Sequence, residues 1–568
     1  MFRSSRRQWC VGLALLWAAA QSSAQAPQAS PATKSTADDT CTVSGMVVAK
    51  ADGTPLKGAT IQLQSRTNGE HNIAVKSGAD GHFFLKNVPS GDYHLTVSRS
   101  GYFDLKYGQN KTGDPGATFH LQPGQNVPDL LFRMGRTGVI SGKVFDEDGE
   151  PMVGVEVEAL RSIYRDGHRE MSIATSCQSN DLGEFRLYGL SPGRYFVSAE
   201  EAAWNREVVG EKEFNGAASN KSEKGFGRVY YPNAFAPDRA SPFLVKEGEE
   251  IPSIDFLMKE ITVYRIQGKV INLVSKHGTE NIQVSVFPRK QEVNSWGFNG
   301  NNMVKADGSF ELPEVAPGEY TVSATLFDDG KVYSTQQDVD VVASDVEGLM
   351  LSVNAGVTIP GRINWEGKPT TLMKHGTSVY LESEMSRFGI GREDGQIDED
   401  WQFTLKNVPD VTFKVHVVDL SQDCYIKEVR FGDTVLPDRE LRVRGAAANL
   451  EITVSSRGAR ISGSVLNADS LPIPGAWAVA VPEEDKRKFL RLYKAVSTDQ
   501  YGHFEIRGMA PGKYKLFSWE GIEARAWEDP DFLKDYEDKG QEIEVREGDQ
   551  KSLDLTSLSL KDLDAKTY

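Results

Sequence analysis

A short frame recurs five times along the chain: a β-branched residue, a spacer, Gly, a spacer and a second β-branched residue. An aromatic follows about forty residues later and another ten positions beyond it. The first part reads Val43-Gly45-Val47, Ile140-Gly142-Val144, Ile266-Gly268-Val270, Ile359-Gly361-Ile363 and Ile461-Gly463-Val465. The aromatic pairs are Phe83/Tyr93, Phe185/Tyr195, Phe310/Tyr320, Phe403/Phe413 and Phe504/Tyr514. A period near 100 residues exceeds a solenoid unit and fits a whole small domain, so the chain is expected to be a string of similar domains.

Within each repeat the apolar spacing is two, as in Ala59-Ile61-Leu63, Ile282-Val284-Val286 and Trp477-Val479-Val481, which marks half-buried strands. Gly and Pro punctuate the strands, as in Asp52-Gly53-Thr54-Pro55 and Asp148-Gly149-Glu150-Pro151. About seven short strands per repeat make a β-sandwich. The expected fold class is therefore all-β, a tandem array of five small sandwiches over 41–136, 137–260, 261–356, 357–457 and 458–568. The aromatic pair is expected on one face of one hairpin. The opening Gly is expected to make room for an aromatic of the facing sheet. No long apolar run crosses the joins near Arg136, Ile261, Gly356 and Gly458, so the repeats are expected to fold separately as a monomeric rod.

Residues 1–26 have the zones of a secretory signal: Arg3, Arg6 and Arg7, an apolar run, then small residues ending Ala24-Gln25-Ala26, with cleavage expected after Ala24 or Ala26. Residues 27–40 are small, polar and Pro-bearing and read as a disordered leader. No later run is long and apolar enough for a membrane-spanning helix. The formal charge of −16 argues against nucleic acid or anionic lipid as a partner. After signal removal Cys41, Cys177 and Cys424 remain, an odd number scattered over three repeats, which is no disulfide framework.

The order Val-x-Gly-x-Val, Gly-Ala-Thr-Ile-x-Leu, Asp-Gly-x-Phe-x-Leu and Val-Pro-x-Gly-x-Tyr-x-Leu-x-Val, followed by Gly101-Tyr102, closely resembles the carboxypeptidase regulatory-like domain, a transthyretin-like (prealbumin-like) β-sandwich. Repeats one, two, three and five carry the pattern. Repeat four lacks the Asp-Gly turn before Phe403 and the Pro-Gly before Phe413. Tyr107-Gly108-Gln109 and Tyr230-Tyr231-Pro232 look like phrases of secreted multi-repeat bacterial proteins of this kind. The resemblance implies accessory modules beside peptidases, extensions of outer-membrane receptors or surface proteins, and leaves function to the individual site.

His277-Gly278-Thr279-Glu280 fits a zinc pair but falls in a turn, and five β-repeats leave no room for a metallopeptidase domain, so no metal, cofactor or catalysis is expected. Asp146-x-Asp148-Gly149 resembles a calcium-loop start without its closing Glu, and a hairpin turn accounts for it and for Asp80, Asp181, Asp307 and Asp499. Repeat two is long, with extra residues between 199 and 243 carrying Trp204, Tyr230, Tyr231 and Phe235; residues 519–536 of repeat five, with Trp519 and Trp527, form a comparable stretch. These six aromatics are the candidate ligand-binding residues, because exposed rings stack on sugars. Tyr230 and Tyr231 are also read as covering a join between repeats. The expected function is a non-enzymatic secreted or periplasmic binding or scaffold protein whose partner is an envelope protein or polysaccharide. The alternatives are a carbohydrate-binding protein and an accessory subunit of an envelope peptidase or receptor.

Overall fold

The computed structural model describes residues 40–66, 72–109, 114–201, 223–235, 237–274, 278–279, 281–289, 293–294, 299–329, 331–368, 377–383, 392–443 and 448–558. Each repeat is a two-sheet sandwich. In repeat one the opening strand Cys41–Ala49 lies between His82–Val88, antiparallel, and Asn126–Met134, parallel. The facing sheet runs Asn72–Lys76, Thr60–Ser65, Gly91–Ser98, with Leu105–Lys106 and Phe119–Leu121 on its far edge. The same plan recurs four more times, each around its own apolar core.

The register explains the period. The frame glycine is the antiparallel partner of the first aromatic in every repeat: Gly45 opposite Phe83, Gly142 opposite Phe185, Gly268 opposite Phe310, Gly361 opposite Phe403 and Gly463 opposite Phe504. That aromatic belongs to the glycine's own sheet, not to the facing one as expected. In four repeats most of the exclusion comes from the parallel closing segment, since a Cβ at Gly45 would lie 2.1 Å from Leu130 O and one at Gly463 1.7 Å from Leu553 O; at Gly361 the Phe403 ring is nearest, at 2.2 Å. Substitution there would push the strands apart.

The second aromatic lies in the other sheet, so the two rings enter one core from opposite layers; this corrects the expectation of a shared sheet. Its hydroxyl donates to the carbonyl four residues earlier, Tyr93 to Pro89 at 2.8 Å and Tyr195, Tyr320 and Tyr514 to Ser191, Ala316 and Ala510 at 2.9 Å. The phenol thus ties down the crossing between sheets while its ring stays buried.

Repeat four keeps the sandwich without the glycine of the turn before its first aromatic. Trp401 takes the left-handed φ of 62° that Gly81, Gly183, Gly308 and Gly502 supply elsewhere, and its ring packs 4.8 Å from Trp365. Asp398 Oδ1 accepts from Asp400 N and Gln402 N, the bonds that Asp499 makes to Tyr501 and His503. Side-chain acceptance of this kind holds the turn. In repeat two Asn180, not Asp181, plays that part. Repeats two and three also exchange strands: Glu223–Phe226 pairs with the long strand Glu260–Asn272, and Val293–Asn294 pairs with His168–Gln178. No helix among the described residues is long and apolar enough to cross a membrane. The signal and leader expected over 1–40 lie outside the described residues, apart from Thr40.

Candidate functional site: the docked fifth repeat

Repeat two contains a hairpin of two 11-residue strands, Val155–Arg165 and His168–Gln178. Asp166 and Gly167 join them with φ of 49° and 80°, the paired positive values of a tight two-residue turn. Residues 155–160 also pair with Gly193–Glu201, whereas 161–165 pair only with their own return strand and project as a tip. Tyr164 stands on that tip, and Arg169 binds its hydroxyl through Nε at 2.9 Å and Nη2 at 2.7 Å.

The tip meets repeat five. In the strands Trp477–Pro482 and Gly512–Trp519 the small residues Ala478 and Ala480 and Leu516 face the sandwich core, while Val479, Val481, Phe517 and Trp519 face outward. The alternation Trp477-Val479-Val481 therefore marks the outer face of this sheet. An outer face so apolar needs a cover, and residues 519–536 supply it. The short helix Pro530–Lys534 is started by Asp529, whose side chain accepts from Asp531 N, and it lays Phe532 and Leu533 on the sheet. Trp519 stacks on Phe517 at 5.0 Å and meets Phe532 at 5.7 Å and Tyr536 edge-on at 5.6 Å. Tyr164 completes the cluster against Phe532 at 6.2 Å, the one member from repeat two. Arg161 binds Glu523 at 3.0 Å and Arg525 binds Asp166 at 3.3 Å around this apolar centre.

Repeat five touches repeat one as well. The Gln500 side chain accepts from His120 N at 2.9 Å and donates to His120 O at 3.1 Å, imitating a strand partner, and Asp114 accepts from Gly521 N. Gly475, at φ 72°, passes so close to repeat one that a Cβ would lie 2.6 Å from Gly108 O. Toward repeat four, Asp423 binds Arg507 at 2.6 Å and Arg460 at 3.3 Å, while Glu547 binds Arg457 at 2.8 Å and accepts from Tyr425 and Ser455. The hydrogen bond from Arg507 holds the Asp423 carboxyl below its usual range, and the one from Ser455 does the same for Glu547. An end-to-end rod does not describe this arrangement, because the last repeat returns to the first two.

The candidate ligand-binding aromatics fare differently from their expectation. Trp519 is 0% and Trp527 3% exposed, both inside the repeat-five cover, and Tyr230 is 4% exposed beside Leu160. None of the three offers a ring face to a sugar. Tyr231 is half-buried inside repeat two, 5.0 Å from Phe243 and 6.2 Å from Phe256, and the apolar clusters that hold the two tyrosines are formed by residues of repeat two. Phe235 is 54% exposed, and Trp204 lies outside the described residues. The tip residues Tyr164 to Gly167 escaped sequence reasoning, although Asp166-Gly167 between alternating runs is a strong hairpin signal. His277 and Glu280 lie outside the described residues; among those described, no three His, Cys, Asp or Glu side chains group as a metal site. Cys41, Cys177 and Cys424 are free thiols, and burial pushes those of Cys177 and Cys424 up.

The fold and the docked site define a tandem array of β-sandwich modules. Within it, residues 42–128 match the carboxypeptidase regulatory-like domain, and residues 261–347 match the second beta sandwich domain of BOS complex subunit NOMO1-like proteins. Neither matched family is a catalytic domain. No curated protein matches the sequence. Solved structures with similarity include the Bacillus anthracis TIE protein, at 15% identity over 56% of this chain and 51% of that one, TM-score 0.15. GBS52, the minor pilin of Streptococcus agalactiae, matches at 12% identity over 39% and 96%, TM-score 0.22. BcpA, the major pilin subunit of Bacillus cereus, matches at 12% identity over 55% and 99%, TM-score 0.13. The chain spans about half the length of the Bacillus anthracis protein.

Proposed function

We propose that this protein is a non-enzymatic scaffold or binding protein of the cell envelope or exterior, exported by the signal at 1–26 and built of five sandwiches with the boundaries read from the sequence. The observation that carries this reading is the return of repeat five onto repeats one and two, which holds modules in a fixed relation instead of leaving them on a flexible string. A fixed array presents several surfaces to one partner without an ordering cost at each. The partner is an envelope protein, a peptidase or receptor among them, or a polysaccharide. The acidic surface disfavours nucleic acid.

The test has two arms. Cell fractionation with amino-terminal sequencing should find the mature chain beginning at Gln25 or Pro27 outside the cytoplasm, and an uncleaved cytoplasmic chain would refute export. Capture from envelope extract should recover a partner with the native chain and lose it with Tyr164→Ala, whose docking is loosened. Equal capture by both would show that the fixed arrangement is irrelevant to binding. For the carbohydrate alternative, Phe235 and Trp204 remain as the aromatics to substitute, with a glycan array as readout.

A further inference from the structure

Where repeats four and five meet, they leave a cavity of about 280 Å³ whose wall carries three cations, Arg439, Arg491 and Lys494, with Gln422, Cys424 and Tyr425 beside them. In a chain of net charge −16 such convergence is unusual. Its compensation is incomplete. Asp438 binds Arg491 at 3.3 Å, but among the described residues neither Arg439 nor Lys494 forms an ion pair with a carboxylate. Arg439 Nε is buried with no hydrogen-bond partner. The nearby carboxylates are committed elsewhere, Asp423 to Arg507 and Arg460, Glu547 to Arg457, and Glu483 to Lys486.

The local energetics run against keeping such a group for packing alone. Burial, then the charge of Arg491, pushes Arg439 down to about 10, and burial, then Arg439, pushes Lys494 down. Arg439 stays protonated at neutral pH, so its charge and that of Arg491 face the one carboxylate of Asp438. Arg439 also holds a left-handed φ of 58°, a conformation costly for a side chain of its size. A guanidinium whose Nε is buried without a partner is costly, and its fork of N–H donors matches oxyanions.

We propose that the cavity between repeats four and five is a binding site for a small oxyanion-bearing molecule, a phosphate, sulfate or carboxylate compound, held by Arg439, Arg491 and Lys494. Ligation there bridges the two repeats, so an occupied site stiffens the junction that carries repeat five. The bound anion would accept from the guanidinium of Arg439 and neutralise the excess charge.

The experiment is calorimetric titration of the full mature chain with inorganic phosphate, with sulfate and with citrate, at low ionic strength. At least one should bind one-to-one with Kd below about 1 mM. The double variant R439Q/K494M should weaken that binding by about tenfold or more, and the anion should raise the melting temperature of the native chain but not of the variant. Should the double variant fail to fold, Lys494→Met alone should still lower affinity severalfold. Absence of binding by all three anions would overturn the proposal, as would affinity unchanged by the substitutions, which would mark an adventitious surface anion only. If the variant simply melts higher and the native chain ignores the anions, the cations are an internal repulsion and the site does not exist.

Discussion

Replacing Tyr164 with Ala should loosen repeat five from repeat two while leaving the core of repeat two intact. Tyr164 is 9% exposed, and its apolar neighbours all come from repeat five, with Phe532 at 6.2 Å. A tyrosine buries about 150 Å² or more, and at about 25 cal/mol per Å² the lost burial is about 4 kcal/mol as an upper figure. Part of the ring lies against Arg169 and its own hairpin, 5.1 Å from the guanidinium, and that contact is not part of docking. About 2–3 kcal/mol then belongs to the contact with repeat five, a factor of about 30 to 150 in local opening. Hydrogen exchange on the full chain reads it: amides of 526–536 should exchange faster by that factor, and those of Gly138–Phe145 should not change. Tyr164→Phe, which loses the two bonds from Arg169 and keeps the ring, should give a several-fold smaller effect. Unchanged exchange in 526–536, or equal loosening of Gly138–Phe145, would refute the assignment of Tyr164 to the junction.

Three further outcomes follow from the same geometry. Phe504→Ala should destabilise repeat five by about 3–5 kcal/mol and, because repeat five is docked, also lower the calorimetric transition containing repeats one and two; an isolated shift would mean the docking is energetically idle. Gly475→Ala should cost more than Gly58→Ala, since both have left-handed φ (72° and 75°) but only the former would press on Gly108. Equal losses by denaturant unfolding would show that the approach of repeats one and five is loose. Finally, Asp423 and Glu547 have depressed carboxyl values in the folded chain, so their contribution is complete above the ordinary range of about 4 and is lost as pH falls through the lower folded values. Protection of the Ala459–Leu466 strand should therefore drop on acidification below about pH 4 and be insensitive between about pH 6 and 8.

The period was legible because every repeat sets Phe83 or its equivalent opposite a glycine whose side-chain space is taken, by the closing strand in repeats one, two, three and five and by the Phe403 ring in repeat four. The assignment of the aromatics to sheets was not legible, since alternation shows which side chains share a face but not which layer a strand joins. Trp477-Val479-Val481 shows the same limit: the apolar alternation marks a half-buried strand but not which face it lines, and in the structure it faces a cover and not the sandwich core. Trp519 and Trp527 read as exposed platforms because a short helical pattern at 531–536 does not say which surface it covers; in the structure the Asp-capped helix Pro530–Lys534 lies on the outer sheet face and both rings are buried with it. The docking itself leaves no periodic trace. Arg161 and Glu523 lie 362 positions apart, and Asp114 and Gly521 lie 407 apart.

The central claim is that repeat five returns to repeats one and two, and proximity between Asp166 and Arg525 tests it most directly. Their side chains are 3.3 Å apart across the junction. In the double variant Asp166→Cys/Arg525→Cys, a short bismaleimide should join the two within one chain at high yield and at high dilution, identified by the mass of the linked peptides. The native thiols offer little background, two being buried and one half-buried. An intrachain link that forms efficiently, and is weakened by Tyr164→Ala, is the predicted result; links confined to adjacent repeats, with none between 166 and 525, would contradict the account and restore the open rod.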